Sequence, residues 1–180
     1  MSPPIQLLDY VVERFHFQAH PAFRVFGDGT PPEATYDLQL DVQWDDPRPL
    51  TDAASDDNIG PEAAQQEIMP LDLVVYVNNE DKDEGEHLYR VELALAGMFQ
   101  RVAPEATEDG PPKDYLIHTV ATGISTLYGA ARNVISSMSS QSPYEKLILP
   151  AVTPFGIAQK VIEQRRAEQL QDNDPTPPSE

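Results

Sequence analysis

The sequence predicts an α+β protein: a four-stranded antiparallel sheet, a long helix packed on its apolar face and a second, C-terminal helix. Three observations carry this. Tyr36-Asp-Leu-Gln-Leu-Asp-Val-Gln-Trp44 alternates without a break. Tyr36, Leu38, Leu40, Val42 and Trp44 fall on one face and Asp37, Gln39, Asp41 and Gln43 on the other. That is the period of a half-buried strand, and sheets of such strands are antiparallel with one wet face. Second, 69–79 and 87–99 read as two strands of a hairpin joined by an acidic turn. Third, from Tyr115 onward apolar residues recur at Leu116, Val120, Ile124, Leu127, Ala131, Val134 and Met138, spacings of three and four. A second line, Ile117, Ala121, Tyr128 and Ile135, widens that helical face.

Taken in order, 5–20 is an extended strand, bent near Asp9. It begins with the apolar run Ile5, Leu7, Leu8, Tyr10, Val11 and Val12, and Phe15 and Phe17 follow. Pro21 and the Gly27–Pro32 cluster close it with a loop. After the alternating strand, Asp45–Glu67 offers little to bury and reads as a mobile acidic loop with a helical turn at 62–67. In the hairpin, Leu73-Val-Val-Tyr-Val77 forms one strand. Tyr89, Val91, Leu93, Leu95 and Phe99 share one face of the other, with Arg90, Glu92, Ala94 and Ala96 behind. Asp114 stands at the N-cap position of the long helix. Ser139–Pro143 stops it, Tyr144–Leu149 is extended, and 153–170 is the second helix, with Phe155, Ile157, Ala158, Val161 and Ile162 inward. Residues 1–170 thus read as one domain and 171–180 as a disordered tail.

Composition narrows the function. The net charge of −18, from 12 basic and 30 acidic residues, opposes contact with nucleic-acid phosphates and suits basic partners. Cysteine is absent, which removes disulfides, thiol nucleophiles and thiolate metal sites. The start of the chain has no signal-peptide pattern, and no apolar run approaches a membrane span, so a cytoplasmic location without membrane insertion is expected. The four histidines, His16, His20, His87 and His118, form no metal-ligand motif. No nucleophile elbow, phosphate-cradling glycine loop or calcium loop is present. No enzyme is predicted and no cofactor is called for. The alternative from another class is a metal-binding protein or enzyme using His16, His20 and the acidic loops.

Leu127-Tyr-Gly-Ala-Ala-Arg-Asn-Val-Ile-Ser-Ser-Met138, followed by Leu147-Ile-Leu-Pro-Ala-Val152, resembles the SecB protein-export chaperone family. Val91-Glu-Leu-Ala-Leu-Ala-Gly-Met-Phe99 resembles that family's glycine-containing strand. The resemblance runs from about Val11 to Ile162. Departures mark a divergent member: Gly129 stands where the family has proline, Ala130 where it has tyrosine, and Ala151 and Pro154 depart from the closing motif.

The resemblance implies an ATP-independent holdase for non-native polypeptides, acting in protein export. A chaperone dedicated to one client, such as an antitoxin, is the alternative. It implies an apolar client groove between sheet and helices, for which Phe15, Phe17, Trp44, Phe99, Leu127, Tyr144, Leu147 and Leu149 are the candidates. It implies a homotetramer built as a dimer of dimers. Gly123, Gly129 and Ala130 are candidates for a close helix interface, and loss of the Pro-Tyr pair weakens the tetramer toward a homodimer. It also implies docking of the SecA motor on an acidic outer sheet face, here Asp37, Asp41, Glu84, Glu86 and Glu92. Arg14 and Gln18 stand at the first-strand positions where the family has carboxylates, so SecA binding is expected to be weak or absent.

Overall fold

The computed structural model describes residues 5–19, 37–49, 66–78, 87–102, 114–142, 144 and 146–172. The strands are β1 (Ile5–Ala19), β2 (Leu38–Trp44), β3 (Arg48–Pro49), β4 (Gln66–Val77) and β5 (Tyr89–Val102). The helices are α1 (Tyr115–Ser139) and α2 (Pro154–Asp172). All described strand pairings are antiparallel, in the order β1-β5-β4-β2, with the two-residue β3 also paired to β4. The four expected strands are therefore present, and β3 is a fifth. It falls inside the stretch read as a loop, and β4 begins at Gln66, so Gln66 and Glu67 are strand instead of helical turn. Residues 50–65 of that stretch lie outside the described residues, as do His20, Glu84 and Glu86.

Alternation decides which face is buried. Met69, Leu71, Leu73, Val75 and Val77 of β4 point one way and are fully buried. Val91, Leu93, Leu95 and Phe99 of β5 join them, at 1% exposure or less. Val120, Ile124, Leu127, Ala131 and Ile135 of α1 close over this face and are also fully buried. Two glycines allow the close approach. A Cβ on Gly97 would sit 2.9 Å from a Leu127 methyl, and one on Gly123 2.9 Å from a Leu71 methyl.

β1 keeps its apolar side chains on the helix face by two irregularities. Pairing to β5 shifts register between Leu7 and Asp9 and again between Val12 and Arg14. Leu8 and Glu13 are the extra residues. Each bulge resets the alternation, so Leu7, Tyr10, Val12, Phe15 and Phe17 all oppose inward-facing positions of β5 despite their uneven spacing. The bend expected near Asp9 is the first bulge.

Short connectors are fixed by specific hydrogen bonds. Asn78, at φ 55°, takes a left-handed conformation that asparagine tolerates. Its side chain accepts from Asp37 N–H at 2.7 Å and donates to Tyr89 O at 2.8 Å, tying three strands together. After α1, Ser139 Oγ accepts from Leu147 N–H at 3.0 Å, and Tyr128 hydroxyl donates to Pro150 O at 2.8 Å. These hold Leu147 and Leu149 in the core. Asp114 is the N-cap of α1, but its side chain makes no capping hydrogen bond. α2 runs to Asp172, and of its expected inner residues Ala158 and Ile162 are buried. Phe155 is instead 42% exposed, its ring 5.3 Å from that of His118. No described helix is long and apolar enough to cross a membrane.

Candidate functional site

β2 is an edge strand, and its outer edge is where the sheet meets α2. Asp45 N–H donates to Pro70 O and Asn78 N–H to Asp37 O, so the odd-numbered residues of the strand bond to β4. In an antiparallel ladder the intervening residues then turn their N–H and C=O groups away from the partner. Leu38, Leu40, Val42 and Trp44 thus offer backbone groups along an edge that no other described strand pairs.

Between this edge and α2 lies a cavity of about 500 Å³. Val42, Trp44, Pro70 and Val161 give it an apolar floor, and Asp41, Asp45, Asp72 and Glu168 give it an acidic rim. Arg165 reaches in from α2. Its guanidinium carbon lies 4.3 Å from the centre of the Trp44 ring, a cation–π contact. One nitrogen donates to the Trp44 carbonyl oxygen at 2.5 Å and another pairs with Asp46 at 3.2 Å. Trp44 is itself only 9% exposed, yet its indole N–H is buried without an acceptor among the described residues. Burial raises the Asp72 carboxyl above its ordinary range, and the nearby charges of Glu13 and Asp45 add to this. The arrangement suits an extended chain segment: open backbone on one wall, apolar floor, carboxylates around it.

Of the predicted groove residues, only Trp44 lines this cavity. Phe99 and Leu127 lie in the interior at 1% and 0% exposure, and Leu147 and Leu149 turn into the core from the segment after α1. Phe15, Phe17 and Tyr144 gather elsewhere, with Tyr89. Ring centres are 6.2 Å apart for Phe15 and Phe17, 5.5 Å for Phe17 and Tyr89, and 5.8 Å for Tyr89 and Tyr144. The register puts this cluster at the end of the sheet far from Trp44. Arg165, Pro70 and Asp72 were not singled out from sequence, and Val161 was read only as an inward residue of the second helix. Asp72 was readable as an outward residue of β4. Arg165 was not, because its contact to Trp44 spans 121 positions.

The helix candidates divide. Gly123 is covered by Leu71 and Phe99 of the sheet, whereas a Cβ on Gly129 would meet nothing within 4 Å. Gly129 borders a shallow hollow of about 430 Å³ with Arg132, Asn133, Ser136 and the exposed Ile148. Ala130 is partly buried against the core.

No described helix covers the outer face of the sheet. Asp41 on β2 and Asp37 just before it are exposed there. Glu92 on β5 is paired with Arg14 at 2.5 Å. His16 is opposite Glu92 across the β1–β5 ladder. Among the described residues no group of three or more histidine, cysteine, aspartate or glutamate side chains is placed to hold a metal ion.

No family model matches the sequence, and no curated protein does. Solved structures do. The chain is similar to a SecB-like chaperone of Mycobacterium tuberculosis, solved in complex with a ChAD peptide from an antitoxin. Identity is 18%, the TM-score is 0.46, and the match covers 82% of this chain and 87% of that one. It is also similar to a protein of unknown function from Streptococcus agalactiae, at 11% identity and a TM-score of 0.47, covering 84% of this chain and 100% of that one. Both are likenesses of fold at low identity.

Proposed function

We propose that this chain is an ATP-independent holdase of the SecB kind, binding non-native polypeptide in extended form and keeping it from aggregating. The observation that carries the reading is the groove at the β2 edge. Its open strand edge offers main-chain hydrogen bonds to any extended sequence, and its apolar floor takes alternate side chains. The helix and strand motifs that resemble the SecB family support the same reading from the sequence side. The test is suppression of aggregation of an unrelated unfolded protein, with and without ATP. Suppression at near-stoichiometric ratio, unaffected by ATP, is expected. Val161→Gln, on the floor of the groove, should weaken it severalfold while the melting temperature stays within a few degrees. Absence of suppression on any unfolded substrate overturns the general holdase and leaves a chaperone for a single client, such as an antitoxin.

We further propose that clients are served directly and not handed to the SecA motor. Arg14 favours this: it stands where the family has a carboxylate, and it neutralises Glu92 on the outer face of the sheet. Loss of one charge pair at a docking surface can cost a few kcal/mol. Titration calorimetry with the cognate SecA at low and moderate salt should give binding weaker than micromolar. Tighter, salt-sensitive binding that disappears in Glu86→Lys overturns the proposal.

A further inference from the structure

Arg165 occupies the best contacts the groove has to offer. A guanidinium is recognised by an aromatic face, a carbonyl acceptor and a carboxylate. Arg165 takes all three, from the Trp44 ring, the Trp44 carbonyl and Asp46. That carbonyl is one of the outward-facing groups of β2, so the same side chain blocks the strand edge where an incoming backbone would pair. Two imbalances remain. Arg165 is the one basic residue among the described residues lining the cavity, against Asp41, Asp45, Asp72 and Glu168. Trp44, nine-tenths buried, keeps an indole N–H with no acceptor among the described residues. A polypeptide carrying an arginine would supply both a second cation and a carbonyl.

We propose that Arg165 is a resident occupant of the groove, holding the place of a client's arginine, and that an extended, arginine-bearing apolar segment binds by displacing it from Trp44. The inference rests on reading the groove as the client site. The exchange is nearly even, because a client guanidinium remakes the contacts that Arg165 gives up. A segment without arginine must remove Arg165 and leave the Trp44 face and Asp46 unpaired. The latch therefore keeps the edge closed to casual strand pairing, and the contacts it vacates favour cationic segments. Release is feasible because the Asp46 side chain is 69% exposed and can be rehydrated.

The protein has one tryptophan, so emission from Trp44 reports on the groove directly. The experiment titrates the full chain with two labelled nine-residue apolar peptides, identical except for a central arginine or its neutral isostere citrulline. Anisotropy and Trp44 emission are read together. In the wild type the arginine peptide should bind more tightly and shift the Trp44 emission. In Arg165→Ala its affinity should rise about tenfold, a change of one decade in Kd, with a similar rise for the citrulline peptide, since both must displace the same side chain. Arg166→Ala makes the same charge change on the exposed neighbour and should leave both affinities unchanged. Arg165→Lys keeps the charge and most of the stem, loses the planar fork, and should show a gain of intermediate size even if the alanine variant folds poorly. Equal or weaker binding in both Arg165 variants overturns the latch and leaves the client reading standing, with Arg165 a structural clamp. If neither peptide binds nor moves Trp44 emission in any variant, the client reading falls and the latch with it.

Discussion

Asp72 lies on the uncovered face of β4, opposite Gln43 and Ala96, where alternation puts it. Burial first, then Glu13 and Asp45, raises its carboxyl above the ordinary 3.8. A raised carboxyl holds its proton in the folded chain at pH values where the unfolded chain has lost it. Stability therefore falls as pH rises from about 3.8 through the raised value, and the penalty is full above it. Asp72→Asn should raise the melting temperature at pH 7. The gain should shrink as pH falls through the raised value and vanish below the ordinary one, which melts at a series of pH values would read. Gly97 and Gly123 show a different use of single residues. Their missing Cβ atoms are spaces that Leu127 and Leu71 fill, so their smallness serves contact between helix and sheet inside one chain. From sequence, a small residue on a helix announces close approach but not what approaches.

At the scale of elements, α1 is held to the sheet by more than apolar contact. Arg101, 8% exposed at its side chain, pairs with Glu67 at 2.6 Å beneath the first turn of the helix. Its guanidinium lies 4.7 Å from the Tyr115 ring centre, and one nitrogen is 3.5 Å from Thr119 Oγ. Burial raises the Tyr115 phenol above its ordinary range against the lowering effect of Arg101, so the ring stays neutral through the physiological range. Removing one partner of a buried pair strands the other. Arg101→Ala should cost about 3 kcal/mol in urea unfolding, the low end of the usual range because Glu67 is partly exposed. Arg101→Met with Glu67→Met should cost much less than the sum of the single changes. None of this pairing was legible in the sequence, because it depends on which residue of β4 opposes Arg101. The elements themselves were legible: period two at 36–44 and period 3.6 along 116–138 reflect faces buried on one side. The unbroken run of apolar residues early in β1 hid two bulges, since a bulge preserves a face only by breaking the alternation that marks it. Phe155 misled because helical spacing fixes angle around α2 and not how far α1 extends over it.

For the whole molecule, the unanswered feature is the edge at β1, which no other described strand pairs. Tyr10 and Val12 point to the helix side of the sheet, yet are 43% and 42% exposed. Val11 and Met98, on the outer face, are 57% and 38% exposed, and the bulge residue Leu8 is 47% exposed. Exposed apolar side chains along an edge strand are what natural proteins otherwise blunt with charge. A second copy laid antiparallel along β1 would pair this edge and extend the sheet across a two-fold axis, reducing the exposure of Tyr10, Val11 and Val12. Such a dimer agrees with the assembly implied by the SecB resemblance. Light scattering at micromolar concentration should show it. Val11→Lys, at a site exposed enough for the lone chain to tolerate, should raise the dissociation constant at least tenfold without lowering the melting temperature of the monomer. The competing contact is the α1 surface at Gly129 and Ala130, and Gly129→Ala separates the two. Its new methyl group meets nothing within the chain, so it should stabilise the helix by about 1 kcal/mol and leave a β1 dimer intact. Loss of assembly in Gly129→Ala with retention in Val11→Lys would move the interface to α1. A clean monomer in the unaltered protein would remove self-association as the reason for the apolar edge.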